Sequence, residues 1–261
     1  MVGVLGVPIA LAAVLVGLAL VVGVLLTSVG ASGFLTTVAL YVFTPLSPAE
    51  VAGTPTNFVP FGVLGALAYY RSGELATRPW SHIAVVMSAT GLIGALAGTE
   101  LNVHLPVRGF ELALGVVVAF AGLLLLYRES RGAGGGAVLE LDPTGFAGYI
   151  VYGTLGGIIG TIGGMLGLGG PALAVPSLVL LGVSIRTAVG IAQLQLVFIS
   201  GTATAGYLVQ DAVSLPLLVL VGVPQVAGAF VGWVLAHRTP EGRLRVGLAV
   251  VLVLVGFYLV A

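Results

Sequence analysis

Long apolar runs constrain this chain more than any other feature. Four of them cover residues 4–26, 107–127, 217–235 and 244–260. Each approaches the roughly 20 apolar residues that a helix needs to cross a hydrocarbon core about 30 Å thick. Charged residues make up only 7% of the chain, whereas soluble domains carry roughly 25%. The chain has too little polar surface for a water-facing globule, and the runs predict an all-α polytopic membrane protein.

The residue types that are scarce exclude several classes of function. There is no cysteine, so disulfides and Cys-ligated metals are excluded. The three histidines have no metal-ligand spacing with Glu and lie far from the serines of the glycine clusters. We therefore expect no enzyme, no metal and no cofactor. No basic stretch points to nucleic acid, and with no cation before Arg71 the first run is interpreted as a retained helix, not a signal peptide.

Glycine, proline and charged residues divide the chain into ten apolar segments. The segments lie near 3–27, 31–45, 50–70, 82–99, 107–127, 145–167, 171–182, 187–208, 213–236 and 243–260. A polar linker at 131–143 separates a first membrane repeat, 1–130, from a second, 144–261. Segments 31–45 and 171–182 are short and open with glycines, so neither spans comfortably as a straight helix.

The arginines favour ten crossings. If every segment crosses, one side of the membrane receives all of the arginines except Arg108. These residues are Arg71, Arg78, Arg128, Arg131, Arg186, Arg238, Arg243 and, marginally, Arg245. By the positive-inside rule this side is cytoplasmic, so we predict a multi-pass protein of the plasma membrane with both termini outside. The lipid bilayer is its expected environment, and the sequence also allows a homo-oligomer.

The two halves of the chain share their glycine and proline positions. A shift of 137 residues pairs Gly30 with Gly167 and Gly33 with Gly170, and a shift of 134 pairs Pro106 with Pro240. Five crossings in each half would insert the second half from the opposite side. We therefore predict two inverted-topology repeats with short glycine-broken helices at the pseudo-symmetry centre, which is typical of transporters with a midplane site.

A small-anion site is predicted where the glycines cluster. Glycine weakens an apolar helix and lets the backbone approach a ligand, and Pro171 suits the first turn of a new helix. The amide groups at two such helix starts would bind an anion without a buried cation. The predicted contacts are Ser28, Gly30, Ser32, Gly33, Gly167, Gly169 and Gly170. The alternative is close helix packing, which we prefer for Gly94, Gly98, Gly228 and Gly232.

Polar side chains follow each glycine cluster. The predicted substrate contacts among them are Thr54, Thr56, Asn57, Gln193 and Gln195. In a membrane helix such groups face protein or water, so these side chains either hydrogen-bond substrate oxygens or join helices. Ser200, Thr202 and Thr204 are expected to bond within their own helix.

The second glycine cluster resembles a family signature. Gly-Gly-Met-Leu-Gly-Leu-Gly-Gly-Pro-Ala-Leu-Ala-Val-Pro176, followed by Gly182-Val-Ser-Ile-Arg-Thr-Ala-Val-Gly190, is similar to the signature of TauE/SafE sulfite and organosulfonate exporters. Leu-Ser-Pro-Ala-Glu-Val-Ala-Gly-Thr54 resembles its first-half copy, although Gly30–Thr37 departs from the family's glycine-rich run.

The resemblance implies membrane export of a small sulfur-containing anion such as sulfite or sulfoacetate. We therefore predict a secondary transporter that works by alternating access. A channel for small anions and a non-transporting scaffold subunit are the alternatives that the sequence leaves open.

Overall fold

The fold is almost entirely helical. A computed structural model describes residues 3–4, 7–29, 33–54, 58–71, 73, 75, 78–130, 142–236 and 241–260. The helices in these residues are α1 (Ile9–Val29), α2 (Phe34–Phe43), α3 (Pro48–Gly53), α4 (Phe58–Arg71), α5 (Trp80–His104), α6 (Val107–Ser130), α7 (Phe146–Leu166), α8 (Pro171–Leu180), α9 (Ile185–Val209), α10 (Leu215–Ala236) and α11 (Glu241–Val260).

The predicted segments match these helices with two differences. The first segment was expected from residue 3, but α1 begins at Ile9, after an antiparallel pair of two-residue strands, β1 (Gly3–Val4) and β2 (Val7–Pro8). The third segment is divided into α3 and α4. Pro55 follows the end of α3 in the sequence, and because proline has no amide hydrogen it cannot continue a helical hydrogen-bond ladder.

Helix lengths support a multi-pass membrane protein. By length and composition, α5, α6, α7, α9 and α10 are the five described helices that can cross a membrane, and the described part of α1 falls just short. The helices α2 and α8 have 10 residues each, which is about 15 Å at 1.5 Å per residue. This length is half of a hydrocarbon core, so a crossing by either segment would also have to include the residues that flank its helix.

Corresponding helices of the two halves have matching positions. Helices α1 and α7 both have 21 residues, and α2 and α8 both have 10. The starts of α7, α8 and α9 follow those of α1, α2 and α3 by 137 positions each, and the start of α11 follows that of α6 by 134. These are the two shifts at which the glycines of the sequence pair.

Glycines bring α5 and α7 into backbone contact. A Cβ atom on Gly94 would overlap the carbonyl oxygen of Gly157, and one on Gly98 would overlap that of Thr161. From the other helix, a Cβ on Gly160 would overlap the carbonyl of Gly91. The prediction that Gly94 and Gly98 serve helix packing is confirmed.

The contact between α1 and α10 repeats this arrangement. A Cβ on Gly228 would overlap the carbonyl oxygen of Leu20, and one on Gly23 would overlap that of Gln225. Gly228 follows Gly94 by 134 positions, and Leu20 precedes Gly157 by 137. The packing prediction is thereby confirmed for Gly228 as well, and residues of the two interfaces are related by shifts of 134 and 137 positions.

Helix α9 occupies the centre of the fold. It packs against α4, α5 and α8, while α6 and α11 pack against each other. Large side chains in the interior, such as Tyr152, Ile199 and Tyr207, are fully buried. This arrangement places the middle of α9 beside the segment that connects α7 to α8.

Candidate functional site

The glycine cluster breaks one buried helix and starts another. Helix α7 ends at Leu166, and Gly167 follows with a left-handed backbone, φ 68°. The amides of Gly167 and Leu168 both donate to the carbonyl of Gly163. Gly169 and Gly170 have φ of 73° and 101°, values that residues with a Cβ rarely adopt. Pro171 then begins α8, as the sequence predicted.

Side chains from three other helices hold the end of α7. The hydroxyl of Thr37 on α2 donates to the carbonyl of Gly167 at 3.0 Å. The Asn102 amide on α5 donates to the carbonyl of Met165 at 2.6 Å. The hydroxyl of Tyr207 on α9 donates to Gly164 at 2.8 Å and to Met165 at 3.2 Å. These bonds satisfy carbonyls that a helix C-terminus leaves without intrahelical donors.

A small cavity lies beside this break. Its volume is about 10 Å³, which is room for about one water molecule, so an anion would enter it only after the surrounding helices move apart. Gly167 and Gly169 line one side, Ser200 and Thr204 of α9 line another, and Ala52 of α3 contributes a third. The described lining residues are glycine, alanine, isoleucine, serine and threonine, so they bring no charge to the cavity.

The start of α8 supplies hydrogen-bond donors near this cavity. The amides of Leu173 and Ala174 donate to the Gly170 carbonyl, and Pro171 has no amide hydrogen. Within the described part of the chain, the amides of Gly169, Gly170 and Ala172 have no backbone acceptor. Such donors at the positive end of a helix dipole favour negative charge.

The structure brings the predicted glycines together. Gly167 and Gly169 line the cavity, and a Cβ on Gly170 would lie 3.0 Å from Cδ1 of Ile199, the residue before Ser200. Gly33 lies at the start of α2, where its carbonyl accepts from the amide of Thr36. Gly30, Ser32, Thr56, Asn57 and the side chain of Ser28 lie outside the described residues.

The other predicted polar contacts lie apart from one another. Thr54 is buried, donates to the Glu50 carbonyl at 2.6 Å and accepts from the Ser214 amide at 3.3 Å. Gln193 packs on α4 at Gly65.

Gln195 faces a different pair of helices. It is fully buried and donates to the carbonyls of Met87 on α5 and Gly156 on α7, both at 3.3 Å. Two positions along a helix correspond to about 200° of rotation, so Gln193 and Gln195 face opposite sides of α9. The side-chain oxygens of both are buried without a hydrogen-bond partner among the described residues.

Sequence reasoning missed the residues that hold the break. Thr37 and Asn102 carried no signal of their own, because a hydroxyl and an amide near segment ends are common. Tyr207 did carry one, since the 137-residue shift pairs it with Tyr70. Thr204 donates to the carbonyl of Ser200 at 2.6 Å as expected, but the Ser200 hydroxyl makes no such bond among the described residues.

Comparison with known proteins identifies the family. The family model "Sulfite exporter TauE/SafE" matches residues 15–259. The chain belongs to the TauE/SafE family. The resemblance inferred from the glycine motifs is confirmed, and this TauE/SafE protein is a membrane transporter, not an enzyme.

A curated relative supports the same conclusion. The chain is 23% identical over 225 residues to "Probable membrane transporter protein YdhB" of Bacillus subtilis (strain 168), which covers 85% of this chain and 89% of the relative. No solved structure matches the chain significantly. In this TauE/SafE protein, the glycine cluster at 163–170 coincides with the break between α7 and α8, beside the uncharged cavity.

Proposed function

We propose that this protein is a secondary transporter that exports a small sulfur-containing oxyanion, sulfite or an organosulfonate such as sulfoacetate, by alternating access. One observation carries the proposal: three glycines with left-handed backbone, Gly167, Gly169 and Gly170, end one buried helix and precede another beside an uncharged cavity. A transporter needs a buried site that binds its substrate weakly enough to release it. Neutral donors satisfy both requirements.

The identity of the substrate is part of the proposal. The family model takes its name from sulfite export, and the donors at the start of α8 suit an anion. A pyramidal or tetrahedral sulfur oxyanion presents several oxygens as acceptors. Amide groups around the α7–α8 break would each meet one of them without a cationic side chain.

Inverted repeats would give this site its two access states. We propose a first repeat at 1–130 and a second at 144–261, joined by the linker at 131–143. Equal lengths of α1 and α7 and of α2 and α8 support the division. The α1–α10 and α5–α7 interfaces also support it. In the proposed repeat α1 corresponds to α7 and α10 corresponds to α5, so each interface is the counterpart of the other. Rocking one repeat against the other exposes a midplane site alternately to the two sides.

The second wall of the site would come from the first repeat. We propose that the chain from Ser28 at the end of α1 to Gly33 at the start of α2, with Gly30 and Ser32 between them, faces the start of α8 across the pseudo-symmetry axis. The remaining proposed contacts are Thr54, Thr56, Asn57, Gln193 and Gln195. The Gln195 NH2 group donates to the carbonyls of Met87 and Gly156, and in another state of the cycle it would exchange these bonds for bonds to the anion.

Counterflow in proteoliposomes tests the function. Purified protein is reconstituted with sulfoacetate inside, and uptake of labelled sulfoacetate from outside is followed; sulfite, thiosulfate, sulfate, chloride and acetate serve as competitors. An exchanging transporter accumulates label transiently, whereas a channel only equilibrates it and a scaffold subunit shows no uptake. Selective counterflow with a sulfur oxyanion is expected. Preference for chloride or acetate would contradict the proposal.

Gly170→Val tests the site within the same assay. A side chain at φ 101° is strained and meets Ile199, so transport should be lost while the protein remains folded in size-exclusion chromatography. Gly17→Val is the matched control, because a Cβ at Gly17 of α1 has nothing within 4 Å. Normal flux in Gly170→Val would show that the backbone conformation at the α7–α8 break is not needed for transport.

A further inference from the structure

We propose that Ser200 provides the side-chain hydrogen-bond donor of the anion site, with its hydroxyl donating to an oxygen of the bound sulfonate or sulfite. The inference rests on the proposed function, since it adds a residue to the same site. Ser200 lies in the middle of α9, 30 positions beyond Gly170 in the sequence, and sequence analysis assigned its hydroxyl to its own helix.

Ser200 is a buried polar group without a protein partner. Its residue surface is 5% exposed, and its Oγ atom has no hydrogen-bond partner among the described residues. A hydroxyl removed from water costs free energy unless it is paired. Most buried polar groups in proteins are paired, so an exception calls for an explanation such as a ligand.

Three threonine hydroxyls on helices of this protein behave differently. Thr204, Thr161 and Thr90 each donate to a carbonyl four residues earlier, at 2.6, 3.0 and 3.0 Å. This is the usual solution for a hydroxyl in a membrane helix. Ser200 makes no such bond among the described residues, and it is one of the residues that line the cavity.

The neighbours of Ser200 place it at the helix break. Ser200 lines the cavity together with Gly167 and Gly169. Ile199, the preceding residue, lies 3.2 Å from a Cβ built on Gly163 and 3.0 Å from one built on Gly170. The middle of α9 is therefore packed directly on the glycine loop, and Ser200 and two glycines of that loop line the same small cavity.

The combined donors define the chemistry of the ligand. Amides at the start of α8 present hydrogens and a positive dipole end, and a serine hydroxyl can add one further donated hydrogen. The described lining residues contribute no carboxylate to attract a cation and no guanidinium to pair with a second negative charge. Such a set suits a single oxyanion group with several oxygens, such as the sulfonate group of sulfoacetate.

Affinity measurement provides the first test. Sulfoacetate binding to the purified full-length protein in nanodiscs is measured by calorimetry for wild type, Ser200→Ala and Ser88→Ala. Loss of a hydrogen bond to a charged ligand should raise the Kd of Ser200→Ala by about 10- to 100-fold. Ser88 is the matched control on α5: it is 2% exposed, its Oγ also lacks a partner among the described residues, and it does not line the cavity. Its Kd should stay within about twofold of wild type.

The absence of cysteine in the sequence permits a second test. Ser200→Cys and Ser88→Cys each create a single thiol, and the rate of alkylation by a maleimide is measured with and without sulfoacetate. Sulfite is not used here because it reacts with maleimides. Sulfoacetate should slow alkylation of Ser200→Cys and leave that of Ser88→Cys unchanged.

The outcomes separate this inference from the proposed function. If wild type and Ser200→Ala bind sulfoacetate equally, the role of Ser200 is overturned and the function stands. Equal weakening by Ser200→Ala and Ser88→Ala would indicate a general packing effect and would also overturn it. If wild type binds none of the sulfur oxyanions, both proposals are overturned. If the thiol of Ser200→Cys does not react with the maleimide, the ratio of the Kd values of Ser200→Ala and wild type decides whether Ser200 contributes to binding.

Discussion

The hydroxyl of Thr37 donates a 3.0 Å hydrogen bond to the carbonyl oxygen of Gly167, a residue 130 positions later in the chain. Both residues are buried. The bond joins the short helix α2 of the first half to the glycine loop of the second half. A change in the position of α2 is therefore transmitted directly to the backbone of the proposed anion site.

Removing this hydroxyl should destabilise the protein. In Thr37→Val the side chain keeps its shape, but the Gly167 carbonyl loses its donor in a buried setting, which typically costs about 1–3 kcal/mol. Thermal unfolding of the purified variant in nanodiscs measures the loss. Thr44→Val is the control, because the Thr44 hydroxyl bonds only to Leu40 of its own helix. Equal losses of stability in Thr37→Val and Thr44→Val would show that the hydrogen bond between α2 and the glycine loop contributes no more than a bond within one helix.

Asn102 and Tyr207 should show coupled effects on stability. Both donate to the carbonyl of Met165, so after either Asn102→Leu or Tyr207→Phe one donor remains. The double variant leaves that carbonyl with neither, and it should lose more stability than the sum of the single losses, by about 0.5 kcal/mol or more. A double-mutant cycle of unfolding free energies measures this difference. Simple additivity would show that the two caps act independently.

Two glycines of α1 should respond oppositely to alanine. In Gly23→Ala the added methyl would overlap the carbonyl of Gln225 and force α1 away from α10, with an expected loss of about 1–3 kcal/mol. Gly17→Ala meets nothing within 4 Å and should be neutral or gain up to about 1 kcal/mol of helix propensity. Unfolding of both variants under identical conditions measures the contrast. A neutral Gly23→Ala would contradict the close packing of α1 on α10.

Reporter fusions should place both termini outside the cell. The distribution of arginines predicts ten crossings, and five of these precede the linker at 131–143. A reporter that is active only in the cytoplasm should therefore be silent at residue 1 and at residue 261. The same reporter inserted in the linker should be active, and this insertion is the internal control. A cytoplasmic signal at either terminus would overturn the count of ten crossings.

The membrane fold could be predicted from the sequence because its signals are local. The lengths of the apolar runs and the glycines and prolines between them predicted the bounds of most helices to within a few residues, and α8 begins at Pro171 as expected. The division of the third segment at Thr54 was missed. A hydrophobic run that contains a proline is predicted as one segment when only apolar length is considered, although proline has no amide hydrogen with which to continue a helical hydrogen-bond ladder.

The polar contacts could be predicted only in part, because they depend on which helices meet. Glycine spacing identified Gly167, Gly169 and Gly170, since backbone conformation is encoded locally. The donors Asn102 and Tyr207 come from helices distant in sequence. Whether a hydroxyl such as that of Ser200 bonds its own helix or remains available is also decided by rotamer and packing, which spacing does not reveal.

The uncharged wall of the cavity has a consequence for how the transporter would respond to acidity. None of the described residues that line it carries a side chain that titrates near neutral pH. The wall therefore presents the same hydrogen-bond donors in acidic and alkaline media. A change in affinity at this wall between them would report the ionisation of the cargo, so that a weak acid such as hydrogen sulfite and a permanently ionised sulfonate would give different binding profiles with one and the same protein.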